Sequence, residues 1–407
     1  MDDDVTAWIR ERSHPLAAPD PDASLDELAP LDELAPLDAI ADGAAVVGLG
    51  EASRFAHEVF TARFRMLRYL VEHLGFRALA LEEDWTKGQE LDAHVRTGRG
   101  DPRRIIDANA WAVWRTEEFA AALRWIRQRN RAHPDDPVRI VGLDFARVQA
   151  SAFEKVLDHL RRHAPDRFPE AEAHYADLRP EGEPAGNAAR IAAHTDPGGL
   201  VDRAERVRDL VRDTGPVEEQ EEAAWNARVI AGFHRWHAPG VAPDSALMAD
   251  GIVRWHRRTG ARIVYWGGTG HSAVRPGSEG GRLRDHLGRA YRSIGFTFDR
   301  GELLWPLAPA SPELAEATLR DARPGPFLLD VRGEAPARVR EWLDGPTRVR
   351  VIGPHYDADR DAEFSMEGDS LRTLFDAVVF LPQVTPVRRL GDRPVGPACV
   401  GSGSSMA

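Results

Sequence analysis

The stretch AAVVGLGEASRFAHEVF, residues 44–60, decides how the rest of the chain is read. An aliphatic, β-branched run ends at Gly50, an acid follows at Glu51, and apolar residues then recur at helical spacing. This is a strand passing into a helix, with Ser53 as the expected N-cap and Glu58 in the first turn. Comparable runs recur: FRALALEED at 76–84, VRIVGLDF at 138–145, ARIVYWGGTGH at 261–271, YRSIGFTF at 291–298, PFLLDV at 326–331, RVRVIG at 348–353 and DAVVFLPQV at 376–384. Longer helical patterns separate them. Such alternation implies an α/β fold, a central and largely parallel sheet with helices on both faces.

Between 146 and 250 no such run appears. AFEKVLDHLRRHA and EEQEEAAWNARVIAGFHRW carry helical spacing, and PEGEPAG at 180–186 punctuates them. The expected organisation is an N-terminal helical leader (1–43), an α/β core (44–145 and 251–396), a helical insertion forming a lid (146–250) and a flexible polar tail (397–407). LDELAPLDELAP at 25–36 is a tandem hexad. Two copies are too few for a solenoid, and the repeat reads as a local duplication.

A net charge of −12 on 407 residues argues against nucleic acid as a partner and for a small-molecule ligand. Lysine occurs only at positions 87 and 155, so the many arginines read as codon bias rather than a binding code. The lone Cys399 permits no internal disulfide and no thiolate metal cage. MDDDVTAWIRERSH lacks the layout of a signal peptide, and no apolar window is long enough to span a bilayer. A cytoplasmic protein without membrane contact is expected.

Ligands in open α/β sheets bind beyond the C-terminal strand ends. Those ends deliver Glu51, then Glu82, Glu83 and Asp84, then Asp144, then His271. Clustered carboxylates favour a nearby cation, and Arg54 is placed to be one. If a helix starts near Ser53, Arg54 and His57 share its face; an exposed first turn merely decorated by both is the plainer alternative.

GLGEASRFAHEVF, FRALALEEDW, WAVWRTEEFAAALRWIRQRN, VRIVGLDF, YWGGTGHSA, IGFTF and FDAVVFLPQVTPVRRL follow one another in the order and spacing of the erythromycin esterase family. The resemblance covers nearly the whole chain. It implies an α/β fold with a helical lid, a cleft for a macrolide-like ligand, no metal and no cofactor, with a general base that activates water against a lactone carbonyl. Carried over by motif, the family's first-strand Glu falls on Glu51 and its histidine base on Arg54. Its second-strand Glu falls on Glu82, its W-R-x-E-E segment on Trp114, Arg115, Glu117 and Glu118, and a later histidine on His271. The histidine before that one is replaced by Gly268.

A guanidinium stays protonated at any working pH and cannot serve as a base. Loss of a general base costs about 10² to 10⁴ in rate. His57 lies where family members often carry a cation, so imidazole and positive charge look exchanged by one helical turn. The leading expectation is therefore a redirected enzyme of polyketide or macrolide biosynthesis, a lyase or cyclase. In it His57 or His271 abstracts a proton, Glu51 or Glu82 orients the imidazole, Arg54 stabilises an enolate or carboxylate, and Tyr265 or Tyr69 assists. Tyr69, Trp85, Trp111, Trp114, Arg115, Glu118 and Tyr265 are the expected substrate contacts.

Three alternatives stand beside it. One keeps hydrolysis, with His57 as base or, in a variant, Ser272 of GHSAV as nucleophile. That motif lacks its final Gly. Another is a metal held by Glu51, Glu82, Asp144 and His271, although H-E-x-x-H is absent and His234 and His237 of FHRWH read as lid residues. The last is a binding or resistance protein whose tryptophans, among them Trp236 and Trp266, cover a hydrophobic product.

Overall fold

The computed structural model of the chain describes residues 3–18, 31–107, 110–182, 184–353 and 355–390. Cys399, the expected tail and the first half of the hexad repeat lie outside them. Seven strands carry the main sheet: β1 (Val46–Glu51), β2 (Phe76–Asp84), β3 (Arg139–Asp144), β4 (Arg262–Gly268), β5 (Tyr291–Glu302), β6 (Phe327–Asp330) and β7 (Ala377–Val384). Their spatial order is β6-β7-β5-β1-β4-β2-β3. From β7 to β3 every pairing is parallel, while β6 runs antiparallel to β7 and pairs at its outer edge with the two-residue strand His14–Pro15. An antiparallel edge on an otherwise parallel sheet is common.

One expected strand lies elsewhere. The first three residues of RVRVIG fall in the strand Thr347–Arg350, which forms a separate antiparallel pair with Ser365–Gly368. Its apolar composition is that of a core strand, but its hydrogen-bond partner comes from the following hairpin.

Alternate residues along the strands enter different cores, as the pleat requires. Val47, Leu49, Leu79, Leu81, Val264 and Trp266 face a cluster with the helices His57–Glu72 and Glu117–Ala132. Val46, Ala78, Ala80, Val141, Ile263 and Tyr265 face a second cluster. Into that second cluster pack the helices of the insertion, Ala150–His163, Phe168–Ala176, Pro197–Leu210 and Val217–His237, together with Leu247–Thr259. Among the described residues of 146–250 no strand occurs. The insertion is a helical layer laid on one face of the sheet.

The helix after β1 begins three residues later than its sequence suggests. It spans His57–Glu72 and has Ala56, without a side-chain cap, at its N-terminus. Ser53 instead bridges to Ile352 and Ala56 to Pro386, while Phe55 adopts a left-handed backbone (φ 67°). That conformation is uncommon for a non-glycine residue. Contacts from across the chain hold this helix start: His57 N donates to Thr385 O at 2.8 Å, and the Glu58 side chain accepts from Thr385 N and Oγ1 at 2.6 and 2.7 Å. Arg54 therefore sits on a loop ahead of the helix and does not share a helical face with His57.

At the C-terminal edge, Gly50 of β1 lies between Gly267 of β4 and Gly295 of β5. A Cβ on Gly50 would run into the Ser272 hydroxyl, and one on Gly267 into Glu82 and the Tyr265 hydroxyl. The row of glycines lets the short helix Thr269–Ser272 and a buried carboxylate approach the backbone closely.

Candidate active site

β2 loses register with β3 between Leu81 and Asp84, a bulge at the point where its acids begin. Bulges re-aim side chains, and here successive carboxylates serve different neighbours. Glu82 Oε1 accepts from Tyr265 Oη at 2.9 Å and from the Gly268 backbone N at 3.1 Å, and Oε2 pairs with Arg54 Nη2. Glu83 accepts from Arg147 Nη2 at 2.8 Å and from the Trp111 backbone N at 2.7 Å. Asp84 caps the next helix through Lys87 N at 2.8 Å.

Arg54 is clasped between two strands. Its Nη1 donates to Glu51 Oε1 at 3.1 Å, while the other Glu51 oxygen accepts from Arg63 Nη1 at 2.6 Å. Trp111 covers the guanidinium, with 4.2 Å from Arg54 Cζ to the ring centroid. Burial opposes the charge on Arg54, but Glu82 and Glu51 outweigh it and raise the pKa further. Arg63, wholly buried against the Trp266 ring, is lowered by burial despite Glu51. Sequence reading missed Arg63. Arg63 is one of three arginines in a helix that is buried on nearly every side, so its sequence alone did not set it apart.

His271 follows β4 on the helix Thr269–Ser272. Its side chain is 48% exposed, and Nδ1 lies 2.9 Å from Glu279 Oε2. A Cβ built on Gly268 would stand 3.4 Å from Arg54 Nη2 and 3.5 Å from His271 Cδ2. Arg54 and His271 thus flank the gap that the missing second histidine leaves. The negative charge of Glu82 pushes His271 up to about 9, helped by Glu279. Glu82 is held down at about 2: burial works to raise it, but His271 and Arg54 prevail.

The other expected residues fall in different places. His57 is 1% exposed, and its Nδ1 lies 2.7 Å from Glu118 Oε1, which also accepts from Arg388 N at 3.0 Å. The partner of His57 is thus Glu118 of the helix Glu117–Ala132, where the sequence suggested Glu51 or Glu82. Trp114 donates from Nε1 to Glu82 O at 3.0 Å and packs on Phe119. Arg115 donates to Ala110 O at 3.0 Å. Trp85 bonds Asn226 and meets Trp225 edge-on in the insertion core, and Tyr69 bonds Asp38 at 2.8 Å. Ser272 is wholly buried, with its hydroxyl against Gly50. Asp144 turns to Ala146 N at 2.8 Å, His237 to Ala146 O at 2.8 Å, and His234 is wholly buried.

The structure therefore brings Glu51, Arg54, Glu82, Tyr265, Trp111 and His271 to one edge. Two carboxylates hold Arg54 there, one of them shared with Arg63, and an imidazole oriented by Glu279 reaches solvent beside it. Such a group can exchange a proton with a bound molecule while the guanidinium meets a developing oxyanion. No described helix is long and apolar enough to cross a membrane.

The sequence profile described as erythromycin esterase matches residues 71–384. Glu51, Arg54 and His57 precede that segment. Erythromycin esterase type II of Escherichia coli is 29% identical over 140 residues, 34% of this chain and 31% of that protein. The putative hydrolase YbfO of Bacillus subtilis is 28% identical over 111 residues, 27% of this chain and 24% of that protein. These matches span less than a third of the relatives' own lengths. Among solved structures, a protein from Bacillus cereus superposes with a TM-score of 0.78 at 26% identity, and a succinoglycan biosynthesis protein with 0.77 at 25%, each over 95% of this chain and 98% of the other. An erythromycin esterase mutant in its open conformation shares the fold, with a TM-score of 0.69 at 16% identity over 90% of this chain and 97% of that one. With the profile matched over most of its length and the fold shared nearly end to end, the chain belongs to the erythromycin esterase family.

Proposed function

We propose that the protein is a hydrolase that opens the ester or lactone bond of a bulky, macrolide-type small molecule, with His271 as general base. Sequence reading ranked proton abstraction for dehydration or cyclisation first and hydrolysis second; family membership favours the reverse order. The supporting observation is the placement of His271, half exposed, fixed through Nδ1 by Glu279 and adjoining Arg54 across Gly268.

In its neutral form His271 donates Nδ1–H to Glu279 and takes a proton from water at Nε2. The water oxygen adds to the carbonyl carbon, and the carbonyl oxygen gathers negative charge that Arg54 meets. Collapse breaks the bond to the alkoxide, which takes back the proton from Nε2. Glu82 and Glu51 keep the guanidinium in place, and Trp111 offers an apolar face to the substrate.

One observation favours a second reading. Held up at about 9, His271 is an imidazolium near neutrality, which suits donating a proton to a departing hydroxyl. High-resolution mass spectrometry of macrolides and linear polyketide lactones, after incubation with wild type and His271→Ala, separates the two. A His271-dependent gain of one water supports hydrolysis, and a loss of water or an isomer of unchanged mass supports elimination or cyclisation. Ligand recovered unaltered by either protein overturns both and leaves a binding function.

A further inference from the structure

On the helix Ala150–His163, His159 and His163 stand one turn apart with ring centroids 4.9 Å from each other. Glu219, in the first turn of Val217–His237, brings Oε2 to 3.1 Å from His163 Nε2. One donor atom from each of the three lies within 4.8 Å of the others, and no other such group of histidine, cysteine or acidic donors occurs among the described residues.

The protonation of His159 follows from its neighbour. Thr214 Oγ1 donates its only hydrogen to Val211 O at 2.6 Å, so at His159 Nε2, 2.8 Å away, it must accept. His159 therefore carries its proton on Nε2, leaving a lone pair on Nδ1. That atom has no partner among the described residues, in a side chain only 2% exposed. A metal-bound histidine typically donates its other N–H to a fixed acceptor, the part Thr214 plays here. The turn is fitted to the second imidazole as well. Gly215 has φ 67°, and a Cβ there would come within 2.6 Å of His163 Cγ.

We propose that His159, His163 and Glu219 form a site for a divalent transition-metal ion of the zinc type, remote from the strand edge, that clips two helices of the insertion together. Two imidazoles with one carboxylate favour such ions over magnesium or calcium. A tetrahedral ion with bonds of about 2.0–2.2 Å needs donors about 3.4 Å apart. The 44%-exposed Glu219 closes the remaining distance by giving up its pair with Arg162, now 2.5 Å away. Water completes the shell on the exposed side. Arg162 supplies positive charge beside His163 Nε2 and Glu219 Oε2, with its Nη1 at 3.3 Å from the former, and the ion would take over that part.

Equilibrium dialysis of the full chain, stripped with chelator and titrated with zinc sulfate, tests this beside thermal unfolding with and without zinc. Expected are one ion per chain, a Tm several degrees higher with zinc, and tighter binding in Arg162→Ala. Affinity should fall at least tenfold in His163→Ala and Glu219→Gln, whose altered side chains are partly exposed and leave the folded chain intact. Circular dichroism of both variants checks that fold. Zinc uptake unchanged in both folded variants, or no stoichiometric uptake by wild type at about ten micromolar free zinc, overturns the proposal.

Discussion

At the scale of single residues, His271 makes the proposed hydrolysis testable by pH alone. A base raised to about 9 is mostly protonated at neutrality, so kcat/KM should climb about tenfold per pH unit and level off near 9. Glu82 is the first cause of that shift, so Glu82→Gln should move the inflection down towards the ordinary value of about 6.5. The same shift bears on folding: a raised native pKa supports the folded state fully below about 6.5, and that support is lost as pH rises through 9. His57 is expected to behave differently. Removing it takes from the buried Glu118 one hydrogen-bond partner, leaving Arg388 N, and opens a cavity where a buried ring stood, at a cost of about 2–4 kcal/mol. Denaturant unfolding of His57→Ala should therefore show a large loss of stability while the pH–rate inflection stays put; a vanished inflection at unchanged stability would make His57 the base instead. Two adjacent glycines provide a steric check. Gly267→Ala drives a methyl into Glu82 and Tyr265 and should abolish turnover, whereas Gly268→Ala makes only ordinary contacts and should retain most of it. Parallel kinetics with circular dichroism would show whether the two variants separate in this way.

At the scale of elements, seven of the expected strand runs, from AAVVGLG to DAVVFLPQV, lie in the main sheet because β-branched composition and flanking turns mark buried strands directly. RVRVIG was misread because composition does not name a strand's partner. The helix start was misread for a related reason: Ser53 looks like a cap, but the backbone of 52–56 is held by Ile352 and Pro386, some three hundred residues away in sequence. The candidate site was legible where it lies on strand ends, as with Glu51, Glu82 and His271. It was illegible where loops or helices cross, as with Trp111 over Arg54 or Glu118 on His57. Within the insertion, His234 has no hydrogen-bond partner on either ring nitrogen among the described residues, and burial, then His237, pushes it down to about 3. Its neutral form belongs to the folded state, so stability is fully present above about 6.5 and falls as pH drops towards 3, by about 1.4 kcal/mol per unit. An acid titration followed by tryptophan fluorescence should show the insertion loosening in that window, and His234→Phe should flatten the slope. An unchanged acid midpoint in that variant would place the sensitivity elsewhere.

At the scale of the whole molecule, one apolar cluster runs without a break from Val46, Ala78 and Ile263 of the sheet to Phe153, Leu200 and Ile230 of the insertion. A layer joined in this way should not melt apart from the core. Fluorescence and far-ultraviolet circular dichroism are therefore expected to report one coincident main transition, and two separated transitions would mean that the insertion is an independent unit. The position of β1 has a further consequence, for the order in which the chain becomes a protein. Val46–Glu51 pairs on one side with Arg262–Gly268 and on the other with Tyr291–Glu302, so the strand at the middle of the sheet is the first of the seven to be made and waits for both its partners. At a synthesis rate of about 5–20 residues per second, its two hydrogen-bonding edges wait roughly 12–50 seconds for partners. Through that interval the nascent chain carries VVGLGE as an unpaired apolar segment, a site for chaperones to cover and a limit on how early the sheet can close.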